Sequence, residues 1–579
     1  MNKFASSFKK DTVFLFIMSI IGGLLELIGI ALIFPVMIVL TSSDSLGGKK
    51  ILDVFSSLFP FLSDSMIAFL LAFIMIAVFL FKNLFMMFLI KKQNEFAGKL
   101  TDSINNDVIN KLLFAPYRQT ETISYGDKET LLNTSIRDIT LDFILRSVIL
   151  FANAVVALFI IMLLFYKFTL PAFLSTVFII LFAFFENKYF KQKGKTLGNI
   201  GVKLVCDYSL DVNFIIKSAK EILISNKQKY FANYLMNNSK KISNNYSERI
   251  TYGNWPLYVT EIGVIFAFLI MITSVIVFKD SSKAAIISSM AVIALIVLRL
   301  VPQLNKILIS MYEINISKPK VIWFLNLYEK ISKFTYEEQN NLQKTEFKNN
   351  IVLKNINFAY ETKRGIFDIN LNIKKGEFIG IVGSSGAGKT TLINILSGIY
   401  TPDSGEFFVD DVKITKENVS SWRKNISFLP QQSVFLNDTV LKNVAWGEDD
   451  NEIDTNKAKA ALKMAGIDDI DLNSTMDLSA GQRQRIALAR VYYRDFEVLI
   501  LDEATSSLDM ESEKIVSDNI SSLKGNKTII AIAHRISTLK NCDRLIYIKE
   551  GKIFDTETYD EFSAKYFKID NTLDVSSFE

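Results

Sequence analysis

Histidine occurs once in the 579 residues, as His534, and cysteine only twice, as Cys206 and Cys542. Both cysteines fall in stretches read below as cytoplasmic, which excludes a disulfide framework. A surplus of one charge is also missing: 65 basic residues against 60 acidic ones give no ground for a nucleic-acid partner. No internal repeat or low-complexity tract is present. The first apolar run follows Lys3, Lys9 and Lys10 but has no small-residue cleavage site behind it, and it is about twice the length of a signal-peptide core. It reads as a retained helix. A lone histidine is most often a satisfied core side chain, yet this one closes Thr528-Ile-Ile-Ala-Ile-Ala-His-Arg535, directly after a buried-strand pattern.

Apolar residues are what the chain has in excess. Half of it is hydrophobic, 47 residues are Phe, and the mean hydropathy is +0.26, too apolar for a soluble protein of this size. Runs long enough to cross a bilayer lie at 13–40, 66–90, 143–166, 169–186, 255–278 and 284–304, giving six expected spans. Lysines crowd 91–140 and 187–250 and thin out near 167 and 279–283. The positive-inside rule then puts both termini and the second half of the chain in the cytoplasm; the surplus lysines also suit anionic lipid heads.

The second half carries motifs instead of apolar runs. Gly383-Ser-Ser-Gly-Ala-Gly-Lys-Thr390 follows the apolar strand Phe378–Val382 and leads into the helical run from Thr391, the strand, loop and helix order of a phosphate-binding P-loop. Backbone N–H groups of Gly383, Ser384, Ser385, Gly386, Ala387 and Gly388 would face a phosphate at a helix N-terminus. Lys389 would reach the β- and γ-phosphates, the Thr390 hydroxyl would ligate Mg²⁺, and Thr391 continues the loop into the helix. Val498-Leu-Ile-Leu-Asp-Glu503 is an apolar strand ending in two acids. Asp502 would serve the Mg²⁺ shell, and Glu503 would polarise an attacking water. A buried strand rarely ends in adjacent carboxylates without a cation nearby.

Between these motifs lies Leu478-Ser-Ala-Gly-Gln482 followed by a basic helix through Arg490. With it the cassette resembles an ATP-binding-cassette (ABC) ATPase, alanine standing where the signature usually has its first glycine. The resemblance implies Tyr360 as the aromatic stacking on adenine, Gln431 as the Q-loop residue contributing to the Mg²⁺ site, Asp509 in the D-loop Ser507-Leu-Asp509, and His534 as the switch histidine contacting the γ-phosphate, with Glu503 as the base. It also implies a head-to-tail homodimer, in which Ser479 and Gly481 of one copy complete the ATP site of the other, with Gln482 beside them as a further ATP-binding residue. The stretch Ile467–Asp477 lacks the Gly- and Glu-containing segment usual before the signature, which bears on how the cassette senses its membrane domain.

The fold implied is an α-helical polytopic membrane domain of six spans, like a type IV ABC exporter, followed by an α/β P-loop ABC ATPase domain. Boundaries are expected at 1–318 for the membrane domain, 319–345 for a charged linker and 346–579 for the nucleotide-binding domain. Two coupling helices are implied, one from Ala115-Pro-Tyr-Arg118 through Asp127 and one from Asp207 to Glu221.

Ionisable residues inside apolar runs are functional candidates, and here they are Glu26, Lys82, Arg146, Glu261 and Arg299. Arg146 and Lys82 have snorkelling as an alternative; Arg299 interrupts an apolar run just before Pro302 and suits a phosphate or pyrophosphate. In the first external loop, Ile51, Phe55, Leu58, Phe59 and Leu62 recur at helical spacing, either a surface-lying amphipathic element or a packed connector. Glu26 ahead of Pro35, Pro256 with Glu261 and Gly263, and Arg299 with Pro302 and Asn305 resemble bacterial lipid-linked oligosaccharide flippases and the O-antigen flippase. That resemblance implies ATP-driven movement of an undecaprenyl-pyrophosphate-linked oligosaccharide to the outer leaflet of the inner (cytoplasmic) membrane, with Lys82 and Arg299 as the substrate cations; Leu257 stands where the subgroup can place an arginine. Export of another lipid of lipid A type, a peptide or a drug is the alternative, a processed peptide being disfavoured by the lack of a peptidase domain before the first span. A non-transporting ATP-gated regulator is the third reading.

Overall fold

The computed structural model describes residues 8–41, 64–167, 169–278, 283–335, 343–360, 362, 364–476, 478–502, 510–532 and 540–566. It divides into two compact units: Met1–Leu113 with Ile123–Phe334, and Phe114–Thr122 with Thr335–Glu579.

The first unit is helical. Its long elements are α1 (Lys9–Thr41), α2 (Asp64–Leu113), α5 (Arg146–Lys167), α6 (Thr169–Lys217), α8 (Gln228–Phe278) and α9 (Lys283–Ser332), with the short α4 (Tyr125–Thr130) and α7 (Ala219–Ile224) between them; α3 (Tyr117–Glu121) belongs to the other unit. The 50-residue α2 and α9 would each measure about 75 Å at the helical rise, far more than the roughly 30 Å hydrocarbon layer. Apolar side chains can therefore fill only part of each helix, and the charged remainder extends into water. Among the described residues four segments meet the length and apolarity of a span: Phe69–Leu113, Ile136–Met162, Phe173–Lys217 and Gln228–Ser274. The runs 13–40 and 284–304 lie within α1 and α9.

Two π-helical stretches, Leu131–Ser135 and Ile139–Leu145, lead into α5. Helix α8 packs on α6, α9 on α5, α6 and α8, and α1 on α2 and α5. Two sequence expectations shift here. The charged connection expected over 319–345 is helical up to Ser332, because its charges alternate with the buried Val321, Phe324 and Ile331. The stretch Asp207–Glu221, expected to hold the second coupling helix, divides between α6, which continues to Lys217, and α7 at Ala219–Ile224. The amphipathic element proposed at 51–62 lies outside the described residues.

The second unit is an α/β cassette. Strands β3 (Phe378–Val382), β6 (Ile426–Leu429), β7 (Val498–Asp502), β8 (Thr528–Ile532), β9 (Arg544–Lys549) and β10 (Lys552–Glu557) form one sheet in the order β10-β9-β3-β8-β7-β6. All pairs but β9/β10 are parallel. Strands β3 and β8 are buried along their whole length, as a parallel sheet covered on both faces requires. An antiparallel sheet, β2-β1-β4-β5, is built from β1 (Asn350–Ala359), β2 (Gly365–Lys374), β4 (Ser404–Val409) and β5 (Val412–Lys413). Only β8 separates β3 from β7, so the strands ending at Val382, Asp502 and Ile532 discharge at one edge of the sheet. That carboxyl edge is where open α/β sheets bind ligands.

Candidate functional site: a nucleotide cleft in the cassette

The P-loop lies between β3 and helix α10 (Lys389–Leu396). Gly388 caps α10 at φ +111°, and a β-carbon there would come within 2.6 Å of Ile366, so only glycine fits that turn. At Gly386, φ is +81° and a β-carbon would meet nothing within 4 Å; the backbone faces open space as a phosphate cradle must. Lys389 is buried, and its Nζ donates to the carbonyls of Gly383 at 2.7 Å and Ser384 at 2.9 Å. The Tyr360 hydroxyl lies 3.2 Å from the Thr391 hydroxyl, which ties the Tyr360 ring to the P-loop helix.

These groups line a cleft of about 680 Å³ with Ser385, Thr390, Gln431 and Asp502, within the roughly 300–1,000 Å³ of small-molecule sites. Volume, cradle and donor set fit a nucleoside triphosphate with a hard cation: Thr390, Gln431 and Asp502 are oxygen donors of the kind Mg²⁺ takes. Thr362 and Arg364 also line the cleft, and neither was singled out from sequence, since no motif spacing marks them. Ala387 packs inward and is buried.

The signature segment stands elsewhere on the cassette. Ser479 caps helix α11 (Ala480–Tyr493): its hydroxyl accepts from the Gln482 N–H at 3.2 Å, and its own N–H donates to the Gln482 side chain at 2.9 Å. This capping box leaves other N–H groups of the first turn, including that of Gly481, without an intrahelical acceptor. Space is open around Gly481. At the other end of α11, Arg490 donates to the carbonyls of Asn443 and Val434 and lies 3.8 Å under the Trp446 ring. Burial lowers that guanidinium to about 10. Glu503, Asp509 and His534 lie outside the described residues.

The segment Phe114–Thr122 packs as part of the cassette. Arg118 meets Asp403 at 2.6 Å, donates to the Ala359 carbonyl at 2.8 Å and lies 4.4 Å over the Phe358 ring. Burial pushes the Asp403 carboxyl up, but the Arg118 guanidinium and the Ala359 N–H outweigh it and hold it below the usual carboxylate range. Glu121 accepts from the Tyr400 hydroxyl at 2.8 Å; Tyr400 stacks on Phe358 at 4.8 Å and meets Tyr360 edge-on at 6.0 Å. The expected first coupling element is thus linked to Tyr360 through the Tyr400 ring. Tyr400 and Asp403 carry no motif and were missed by sequence reasoning.

In the membrane unit Lys82, expected to bind substrate, is paired with Glu26 at 2.7 Å, the two side chains 8% and 12% exposed. The reason is local: an ammonium on an apolar helix is costly until a carboxylate neutralises it, and α1 supplies one. Arg146 opens α5 and is half-buried. Glu261 is exposed on α8. The side chain of Arg299 lies outside the described residues.

Residues 366–506 match the ABC transporter family model. A β-(1→2)glucan export ATP-binding/permease protein of Agrobacterium fabrum is 36% identical over 237 residues, 39% of this chain and 40% of that protein. An ATP-dependent lipid A-core flippase of Ralstonia nicotianae is 38% identical over 36% of this chain and 38% of that protein, and one of Wigglesworthia glossinidia brevipalpis 32% identical over 61% and 63%. The chain therefore spans about two-fifths of the length of the first two relatives and under two thirds of the third. A bacterial Atm1-family ABC exporter with ATP bound shares the fold across 97% of both chains, with a TM-score of 0.76 at 17% identity. The chain accordingly carries an ABC transporter ATPase domain beside a helical membrane unit, in the fold of an ABC exporter.

Proposed function

We propose that this protein is a homodimeric half-transporter that hydrolyses ATP to move a glycan-bearing amphiphile, an undecaprenyl-pyrophosphate-linked oligosaccharide, from the inner to the outer leaflet of the bacterial inner membrane, its cassette in the cytoplasm. The observation that carries the ATP-driven part is the convergence of Lys389, Thr390, Gln431 and Asp502 with Tyr360 on one cleft at the carboxyl edge of the sheet.

In this reading the P-loop N–H groups and Lys389 hold the phosphates, and the Tyr360 ring holds the base. Mg²⁺, when bound at Thr390, Gln431 and Asp502, neutralises phosphate charge. Glu503 takes the proton of the attacking water, and His534 orients the γ-phosphate. One copy lacks a signature helix at its own cleft, so Ser479, Gly481 and Gln482 of a second copy close the site. Arg118 and Glu121 couple closure to the membrane helices through the ring cluster around Tyr360.

The glycan-bearing substrate is supported by the sequence patterns around Glu26, Pro256 and Arg299 and by relatives named for lipid A-core and β-glucan. The Lys82–Glu26 pair leaves Arg299 as the sequence-marked cation for a pyrophosphate. A lipid A-type substrate is the second reading, favoured by the relative named for that lipid with the longest of these alignments. The test is stimulation of ATPase activity of the protein in nanodiscs. Stimulation by lipid-pyrophosphate oligosaccharide, lost in Arg299→Glu, supports the proposal; stimulation by lipid A alone replaces the substrate, and stimulation by neither rejects both.

A further inference from the structure

Among the described residues, one carboxylate of the membrane unit has no counterpart to Lys82. Glu186 on α6 is 6% exposed, and its two oxygens each lie 3.4 Å from the Thr260 hydroxyl of α8, at the far limit of a hydrogen bond. That hydroxyl has one proton, and its short contact of 2.5 Å is with the Pro256 carbonyl. Among the described residues the carboxylate therefore receives no strong donor. No Lys or Arg among the described residues forms a salt bridge with it.

Glu186 faces a cavity of about 220 Å³ between α6, α8 and α9, walled by Phe182, Val264, Leu304 and Leu308. An isolated buried carboxylate with apolar neighbours is among the most costly arrangements in a fold, whereas the same problem at Glu26 is solved by an ammonium at 2.7 Å. The cavity's shape rests on Gly263, where a β-carbon would come within 2.5 Å of the Phe182 ring. Any side chain there displaces that ring. An apolar cavity of about 150 Å³ already accepts benzene, so this one admits an aromatic ring with a short charged arm.

We propose that the cavity between α6, α8 and α9 is a binding site for a small amphiphilic organic cation, its ammonium on the Glu186 carboxylate and its apolar body against Phe182, Val264 and Leu308. The site goes beyond the transport reading above, whose substrate is anionic, and stands or falls independently of it.

The test is calorimetric titration of the full chain in nanodiscs with phenethylamine and with its uncharged analogue phenethyl alcohol, heats from empty nanodiscs subtracted. The amine binds saturably, about tenfold or more tighter than the alcohol, the scale of one charge-assisted hydrogen bond. Glu186→Gln brings the amine down to the level of the alcohol. Gly263→Ala, which moves the Phe182 ring while keeping the carboxylate, weakens both probes and serves as the second variant should Glu186→Gln fail to fold. Absence of saturable amine binding to the natural chain, equal binding of amine and alcohol, or amine affinity unchanged in either folded variant overturns the proposal.

Discussion

Two lysines of this molecule are buried to nearly the same degree, Lys389 at 8% exposure in the cassette and Lys82 at 7% in the membrane unit. Lys389 donates to two backbone carbonyls of the glycine-rich loop and borders the nucleotide cleft. Lys82 donates to the Glu26 carboxylate on the neighbouring helix. Burial alone therefore does not mark a binding cation; its place does. Lys389 borders an open cleft of oxygen donors, whereas a carboxylate on the neighbouring helix neutralises Lys82 within the packing.

The comparison is sharpened most strongly at the cleft. Lys389→Ala and Glu503→Gln should each lower ATP turnover by a factor on the order of 10² or more, measured as phosphate release by purified protein. In both variants the circular dichroism of the cassette stays that of the natural chain.

Lys82→Met should act in the opposite manner, on stability. Removing one partner from a buried pair costs about 3–5 kcal/mol, visible as a lower Tm in nanodiscs, and the double variant Lys82→Met with Glu26→Leu should recover most of it. A Lys82→Met protein with natural Tm and impaired transport would restore Lys82 as a substrate cation and break the comparison.

Ser479→Ala removes the cap of α11, worth about 1 kcal/mol of local stability, and should lower turnover further than that loss explains, because in the dimer the same helix end would complete the partner's site. Ser479→Asp, which keeps a capping acceptor but adds charge beside the phosphates, should preserve Tm and still lose turnover.

The smallest effect is expected at Arg118 and Asp403, whose side chains are 41% and 43% exposed, a level at which an ion pair contributes at most about 1 kcal/mol. Because the Asp403 carboxyl is held below its ordinary value, the pair's contribution is present above the unfolded carboxylate pKa and is lost as pH falls through the depressed folded value. A double-mutant cycle with Arg118→Ala and Asp403→Asn, followed from neutral to acid pH, should show coupling that fades only at the acid end.

How much of this was readable in the chain follows from how local each feature is. The P-loop and the strand ending in Asp502 each fit within a few consecutive residues, so their spacing carried them. Contacts that bridge long sequence separations were not legible. The partner of Lys82 lies 56 residues away, and the partner of Arg118 lies 285 residues away. Glu186 escaped notice for a different reason: it ends the apolar run 169–186, where a charge reads as a boundary, and only the continuation of α6 to Lys217 with α8 packed alongside reveals it as buried. The helix over 319–332 was read as a linker because its charges dominate the composition while its buried positions, at Val321, Phe324 and Ile331, are sparse.

The most direct test of the account is ATP-dependent flipping of a fluorescent lipid-pyrophosphate-linked oligosaccharide in proteoliposomes, comparing the natural chain with Glu503→Gln. The account predicts flipping by the natural chain that needs ATP and disappears in Glu503→Gln. Robust ATP hydrolysis with no flipping, or flipping that persists in Glu503→Gln, would contradict it.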